Sequence, residues 1–81
     1  MNKDHKFLLV EYDGWPYLEL IIFPGIIKHS TMADLPGIKR VGAAGFVNTK
    51  KTGCYGQSDS LGIDSMPEWS TPVLRKLFEK E

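Results

Sequence analysis

Asp13-Gly14, set between the apolar runs 7–12 and 15–23, constrains this chain more than any other feature. The dipeptide tolerates the positive φ angles of a type I′ turn, the two-residue connection that matches the twist of a β-hairpin. A two-residue turn fixes the register: Tyr12 faces Trp15, Val10 faces Tyr17 and Leu9 faces Leu18. Because strand side chains alternate, that register also sorts the faces. Phe7, Leu9, Leu18, Leu20 and Ile22 share one, and Leu8, Val10, Tyr12, Trp15 and Tyr17 share the other. Pro16 then falls inside a strand, which requires a locally open edge. The aliphatic face is the expected core. The aromatic face is covered either by the 24–40 segment, which carries Ile26, Ile27, Met32, Leu35 and Ile38, or by a partner.

Downstream, Pro24-Gly25 ends the second strand. Ser30 is placed to cap a short helical turn over 31–35, which Pro36 stops. Residues 39–48 read as a third strand. Its run Gly42-Ala43-Ala44-Gly45 predicts a bulge or a close backbone approach. After a polar turn over 48–53, residues 54–63 form a fourth strand and a second hairpin. Thr71 and Pro72 suit the N-cap and first position of a helix over 72–80, with Val73, Leu74, Leu77 and Phe78 on its inner face. Ser65-Met66-Pro67-Glu68 has capping-box spacing and could start a separate turn before it. The expected fold is α+β: an antiparallel sheet of about four strands, a short helical turn, and a C-terminal helix packed on one face.

The bulk properties set the class. Eighty-one residues make one domain, with 42% hydrophobic and 25% charged residues, which excludes a disordered chain. A chain this short buries only roughly 60% of its unfolded surface, and secreted domains of that size are usually stapled by disulfides. With one cysteine, Cys54, no intrachain staple exists, so a cytoplasmic setting is expected. No apolar run approaches the about 20 residues of a membrane span, and the polar start does not suit a signal peptide.

Net charge is zero but unevenly placed. Residues 28–51 carry Lys28, Lys39, Arg40, Lys50 and Lys51 against Asp34 alone, while the segments on either side are each acidic by two. Those five cations are the candidates for a nucleic-acid surface; solvated loop lysines are the plainer reading, since the footprint is modest.

Catalytic signatures are weak. Gly56-Gln57-Ser58-Asp59-Ser60 resembles the G-x-S-x-G nucleophile elbow but lacks its last glycine and its strand-to-helix setting. Ser58 with His29 and Asp59 makes a hydrolase inventory, although a triad is defined by geometry. Cys54 with His29 is the alternative nucleophile pair, against the tendency of free cysteine to be buried. His5 and His29 are too far apart for a metal site, and Ala43-Ala44 stands where a P-loop needs Lys-Ser/Thr, so no metal or cofactor is expected.

The stretches 44–47, 54–63 and 65–68 together resemble small uncharacterised proteins of bacterial prophages and mobile elements. That resemblance covers the C-terminal half and implies a bacterial or phage accessory protein, with no site residues to transfer. The reading that results is a non-enzymatic module that binds a protein or a second copy of itself through Tyr12, Trp15 and Tyr17. Nucleic-acid binding and a small hydrolase or transferase are its rivals.

Overall fold

A computed structural model describes residues 4–48, 50 and 53–78. Its centre is β1 (His5–Tyr12), in which Phe7, Leu8, Leu9 and Val10 are all buried. Four consecutive buried residues require that both faces of the strand be covered. β1 pairs antiparallel with β2 (Leu18–Phe23) on one side and with β3 (Ile38–Val47) on the other, and β4 (Cys54–Tyr55) extends β3, giving the order β2-β1-β3-β4. The α+β architecture and the four-stranded antiparallel sheet agree with the sequence reading.

On one face Phe7, Leu9, Ala43, Val47 and Cys54 pack with Leu74 of α2 (Pro67–Leu77), flanked by Leu20, Ile22 and Val73. The other face holds Leu8, Val10, Phe23 and Ala44. It is covered by Ile27, Met32, Ala33 and Ile38 of the 24–40 segment, which includes the single turn α1 (His29–Met32). Leu61 and Ile63 complete it from a small hairpin of β5 (Gln57–Ser58) and β6 (Ile63–Asp64). The intramolecular cover expected as the alternative to a partner is therefore the one adopted over most of this face.

The first hairpin differs from the predicted register. Leu9 pairs with Leu20, not Leu18, and Glu11 pairs with Leu18. Asp13-Gly14 does turn, with Trp15 N–H donating to Tyr12 O at 3.2 Å, but only Gly14 has a positive φ (75°), as in a type II rather than a type I′ turn. Tyr12 pairs with Ile38, and Asp13 N–H reaches Gly37 O at 2.9 Å, so the end of β1 follows β3 and leaves β2. Pro16 lies in the loop, where its missing N–H costs no ladder bond. The shift is two residues, an even number, so the side chains within β1 and β2 keep their predicted faces, while Trp15 and Tyr17 fall in the loop ahead of β2.

β3 fulfils both expectations for its glycines. Leu9 pairs with Ala43 and Val10 with Val41, leaving Gly42 as the extra residue of a bulge. A Cβ on Gly45 would lie 2.5 Å from Tyr55 O and 2.8 Å from Ser65 Cβ, so two other segments pass against its backbone.

Three local expectations are corrected. The predicted fourth strand is broken at Gly56 (φ 76°) into β4 and the β5–β6 hairpin. α1 begins at His29, after Lys28, and Ser30 does not cap it; its N–H instead donates to Ser60 Oγ at 3.2 Å. α2 starts at Pro67 and runs through Pro72, so Thr71 is no N-cap: its Oγ1 accepts the Cys54 N–H at 3.0 Å. Pro72 is exposed, which leaves the Glu68 carbonyl it cannot serve near water. This start rotates the inner face onto Met66, Ser70, Val73 and Leu74, and Leu77 is 58% exposed rather than packed. The predicted residues 79 and 80 lie outside the described part of the chain.

Candidate functional site

The sequence-derived site residues are scattered over both faces and the edges of the sheet. Cys54 is buried on the α2 face, beside Phe7, Val47 and Leu74. Burial pushes its thiol up from the ordinary value, against hydrogen bonds from Ser70 and Thr71, which keeps it protonated and unreactive at neutral pH. His29 sits on the opposite face, between the rings of Phe23 and Phe46 in edge-on contacts at 5.5 and 5.8 Å. The sheet separates the two, and no Cys-His pair forms.

Ser58 is 1% exposed, and its Oγ accepts Leu61 N–H at 3.2 Å. The segment that resembles a nucleophile elbow is thus a hairpin bonding its own backbone, without the strand-to-helix turn that exposes a catalytic serine. Asp59, one residue on, is exposed and accepts from Gln57 Nε2 at 3.4 Å. Asp59, Ser60 and Gln57 nevertheless reach the same pocket as His29.

That pocket, of about 400 Å³, is lined by Lys6, Lys28, His29, Phe46, Gln57, Asp59 and Ser60. β1 brings Lys6, β3 brings Phe46, the turn into α1 brings Lys28 and His29, and the β5–β6 hairpin brings the rest. His29 is 3% exposed, and its Nε2 lies 2.8 Å from Gly45 O. A carbonyl can only accept, so Nε2 carries the hydrogen and Nδ1 the lone pair. Burial holds the imidazole below its ordinary value. Sequence reasoning found His29 and Asp59 but missed Lys6 and Ser60, because no local pattern joins residues so far apart in the chain.

The five central cations do not form one surface. Lys39 and Arg40 open β3, where Arg40 Nε pairs with Glu11 Oε1 at 2.7 Å. Lys50 lies beyond the other end of that strand, in the turn that follows it. Lys28 lines the pocket, and Lys51 lies outside the described residues.

The aromatic trio is divided as well. Tyr12 is half-buried and packs with the Leu8–Val10 side of the core. Trp15 and Tyr17 are 49% and 63% exposed and meet edge to face at 5.3 Å, with Trp15 Nε1–H donating to Glu19 Oε2 at 2.8 Å. They stand at the start of β2, an outer strand of the sheet.

Among the described residues no three His, Cys, Asp or Glu side chains cluster as metal ligands, and no helix is long and apolar enough to cross a membrane. No protein family, curated protein or solved structure matches the chain.

Proposed function

We propose that the protein is a small binding module that acts by protein contact, and that its partner is a second copy of the chain paired along β2. The outer edge of β2 carries this reading. Both faces of the sheet are covered at this strand, with Leu20 and Ile22 against the α2 core and Ile21 and Phe23 against the other. Leu18 is still exposed, and the residues from Glu19 to Ile22 are only half-buried. What stays open is the side of the strand, where alternate N–H and C=O groups point away from β1.

Edge strands are usually guarded by lysine, proline or a bulge. β2 reads Leu-Glu-Leu-Ile-Ile-Phe, and its single charge, Glu19, is engaged by Trp15. An isologous antiparallel β2–β2 pairing would satisfy the edge of both copies and join two sheets into one. Trp15, Tyr17 and Leu18 would flank that seam with large apolar bodies bearing polar handles. A reducing intracellular setting belongs to the same reading, supported by a lone, buried thiol.

Sedimentation equilibrium of the wild type, Trp15→Ala and Leu18→Lys tests it. The expected result is a concentration-dependent dimer that both substitutions shift toward monomer, with unchanged circular dichroism. A wild-type chain that remains monomeric at the highest accessible concentration overturns the proposal.

A further inference from the structure

The pocket around His29 lies away from the β2 edge, and its chemistry asks for a ligand. The Lys28 ammonium makes no hydrogen bond or ion pair with any described residue, although it lines a concave site; only its backbone carbonyl is engaged, by Thr31 and Met32 N–H. Lys6 also lines it and donates to Ile27 O at 2.9 Å, which fixes its ammonium at the rim with further N–H donors to spare. Asp59 is the one carboxylate present, so the lining carries a net positive charge.

The hydroxyls add a donor. Ser58 is buried, accepts Leu61 N–H and lies 3.5 Å from Ser60 Oγ, which accepts Ser30 N–H. Either hydroxyl can donate across that 3.5 Å separation, and the exposed Ser60 hydroxyl is free to turn its hydrogen into the pocket it lines. Gln57 adds a polar amide, and the apolar part of the wall is the Phe46 ring, held by Tyr55 stacked at 5.7 Å and by the edge of His29.

The His29 imidazole completes the lining. Its Nε2–H is committed to Gly45 O, and no buried side-chain nitrogen or oxygen among the described residues lacks a partner. Among the described residues none bonds Nδ1, and His29 lines this pocket, which leaves that lone pair for a ligand.

We propose that this pocket binds a small organic oxyanion, a carboxylate or phosphate monoester, between Lys28, Lys6 and Ser60, with its carbon skeleton against Phe46. His29 Nδ1 and the Asp59 carboxylate are acceptors for N–H or O–H groups on the same molecule. They disfavour a bare, highly charged anion and favour one that also carries donors. The volume suits a molecule of a few rings at most.

Titration of the full chain with phenyl phosphate, inorganic phosphate and acetate, followed by amide chemical shifts, tests the site. The expected changes centre on Lys28, His29, Phe46 and Ser60. Phenyl phosphate should bind about tenfold more tightly than inorganic phosphate, a difference equal to ~1.4 kcal/mol, because only it can use the Phe46 ring. A response to acetate as well assigns general oxyanion recognition; a response to the phosphates alone assigns the monoester. Lys28→Glu, at an exposed position, should remove the response, and Lys39→Glu, at the far end of β3, should leave it intact. Shifts scattered over the surface, equal effects of the two substitutions, or no response to any of the three compounds overturn the proposal.

Discussion

Thr71 Oγ1 accepts the backbone N–H of Cys54 at 3.0 Å, a backbone anchor that, with the Ser70 and Thr71 contacts to the Cys54 thiol, fastens α2 to β4 at one edge of the sheet. β4 has only two residues, and its ladder with β3 consists of Phe46–Tyr55 and Val47–Cys54. The hydroxyl therefore supplies an acceptor that a longer sheet would supply from another strand. Thr71→Val keeps the shape and removes the acceptor, leaving a part-buried N–H unpaired. It should cost about 1–3 kcal/mol in urea denaturation, whereas Thr71→Ser should cost less than half as much. Equal losses in both variants would locate the effect in the methyl group.

The helix phase makes a second comparison. Leu74 is fully buried against Phe7, Leu9 and Val47, and Leu77 is mostly exposed. Leu74→Ala should lose about 2–5 kcal/mol, as buried large-to-small changes do. Leu77→Ala should stay within about 0.5 kcal/mol, as surface changes do. The reverse order, measured by thermal or chemical unfolding, would mean that α2 packs in the phase of a helix starting at Pro72.

Gly45 tests the crowding at the middle of β3. A Cβ there meets the Tyr55 carbonyl and Ser65 Cβ below 3 Å, and backbone cannot swing aside as a flexible side chain can. Gly45→Ala should destabilise by about 1–3 kcal/mol through overpacking. It should also weaken the His29 contact, because the Gly45 carbonyl receives the imidazole N–H. Gly42→Ala, whose added carbon meets nothing nearer than 3.7 Å, is the control and should be milder.

His29 gives the chain a pH dependence with a definite sign. Burial lowers the imidazole from 6.5; the bond to Gly45 O opposes this, Lys6 adds to the lowering, and Asp59 opposes it. In the unfolded chain the ring protonates near 6.5, and in the folded chain only at lower pH. Its contribution to stability is therefore intact above 6.5, declines as pH falls toward the folded value, and levels off beneath it. A urea midpoint that drops over this window, together with a His29 ring titration below 6.5, is the expected pair of results. A ring that titrates above 6.5 would contradict it.

Much of the fold was legible because alternation and turn chemistry are local. The faces of β1 and β2 came out correctly even though the register did not, since a shift of two residues conserves parity. Asp13-Gly14 alone does not give the register, because the connection runs on to Tyr17; Pro16 marks that stretch as unsuited to pairing. The start of α2 was ambiguous for a similar reason. Pro67 and Pro72 both suit a first helical position, and the choice is made by one contact at the helix start, Ser70 Oγ to Ser65 O at 2.7 Å, and one from another strand, Thr71 to Cys54. The pocket was half legible: His29 and Asp59 stand out by type, but which faces they take depends on β3 lying between Cys54 and His29. Lys28 is marked only as one cation of a basic segment, and Lys6 carries no local signature at all.

β1 precedes both of its neighbours in the chain, and the nearer one, β2, covers only one of its sides. Its other side is closed by β3, which begins at Ile38. During synthesis the strand that ends most deeply buried must therefore wait, with one flank unpaired, until the ribosome has delivered the whole of 24–47. Non-local closure of this kind is slow compared with hairpin formation. For that interval the nascent hairpin is a half-finished sheet open on both sides, and the cell must either fold it quickly or shield it from its neighbours.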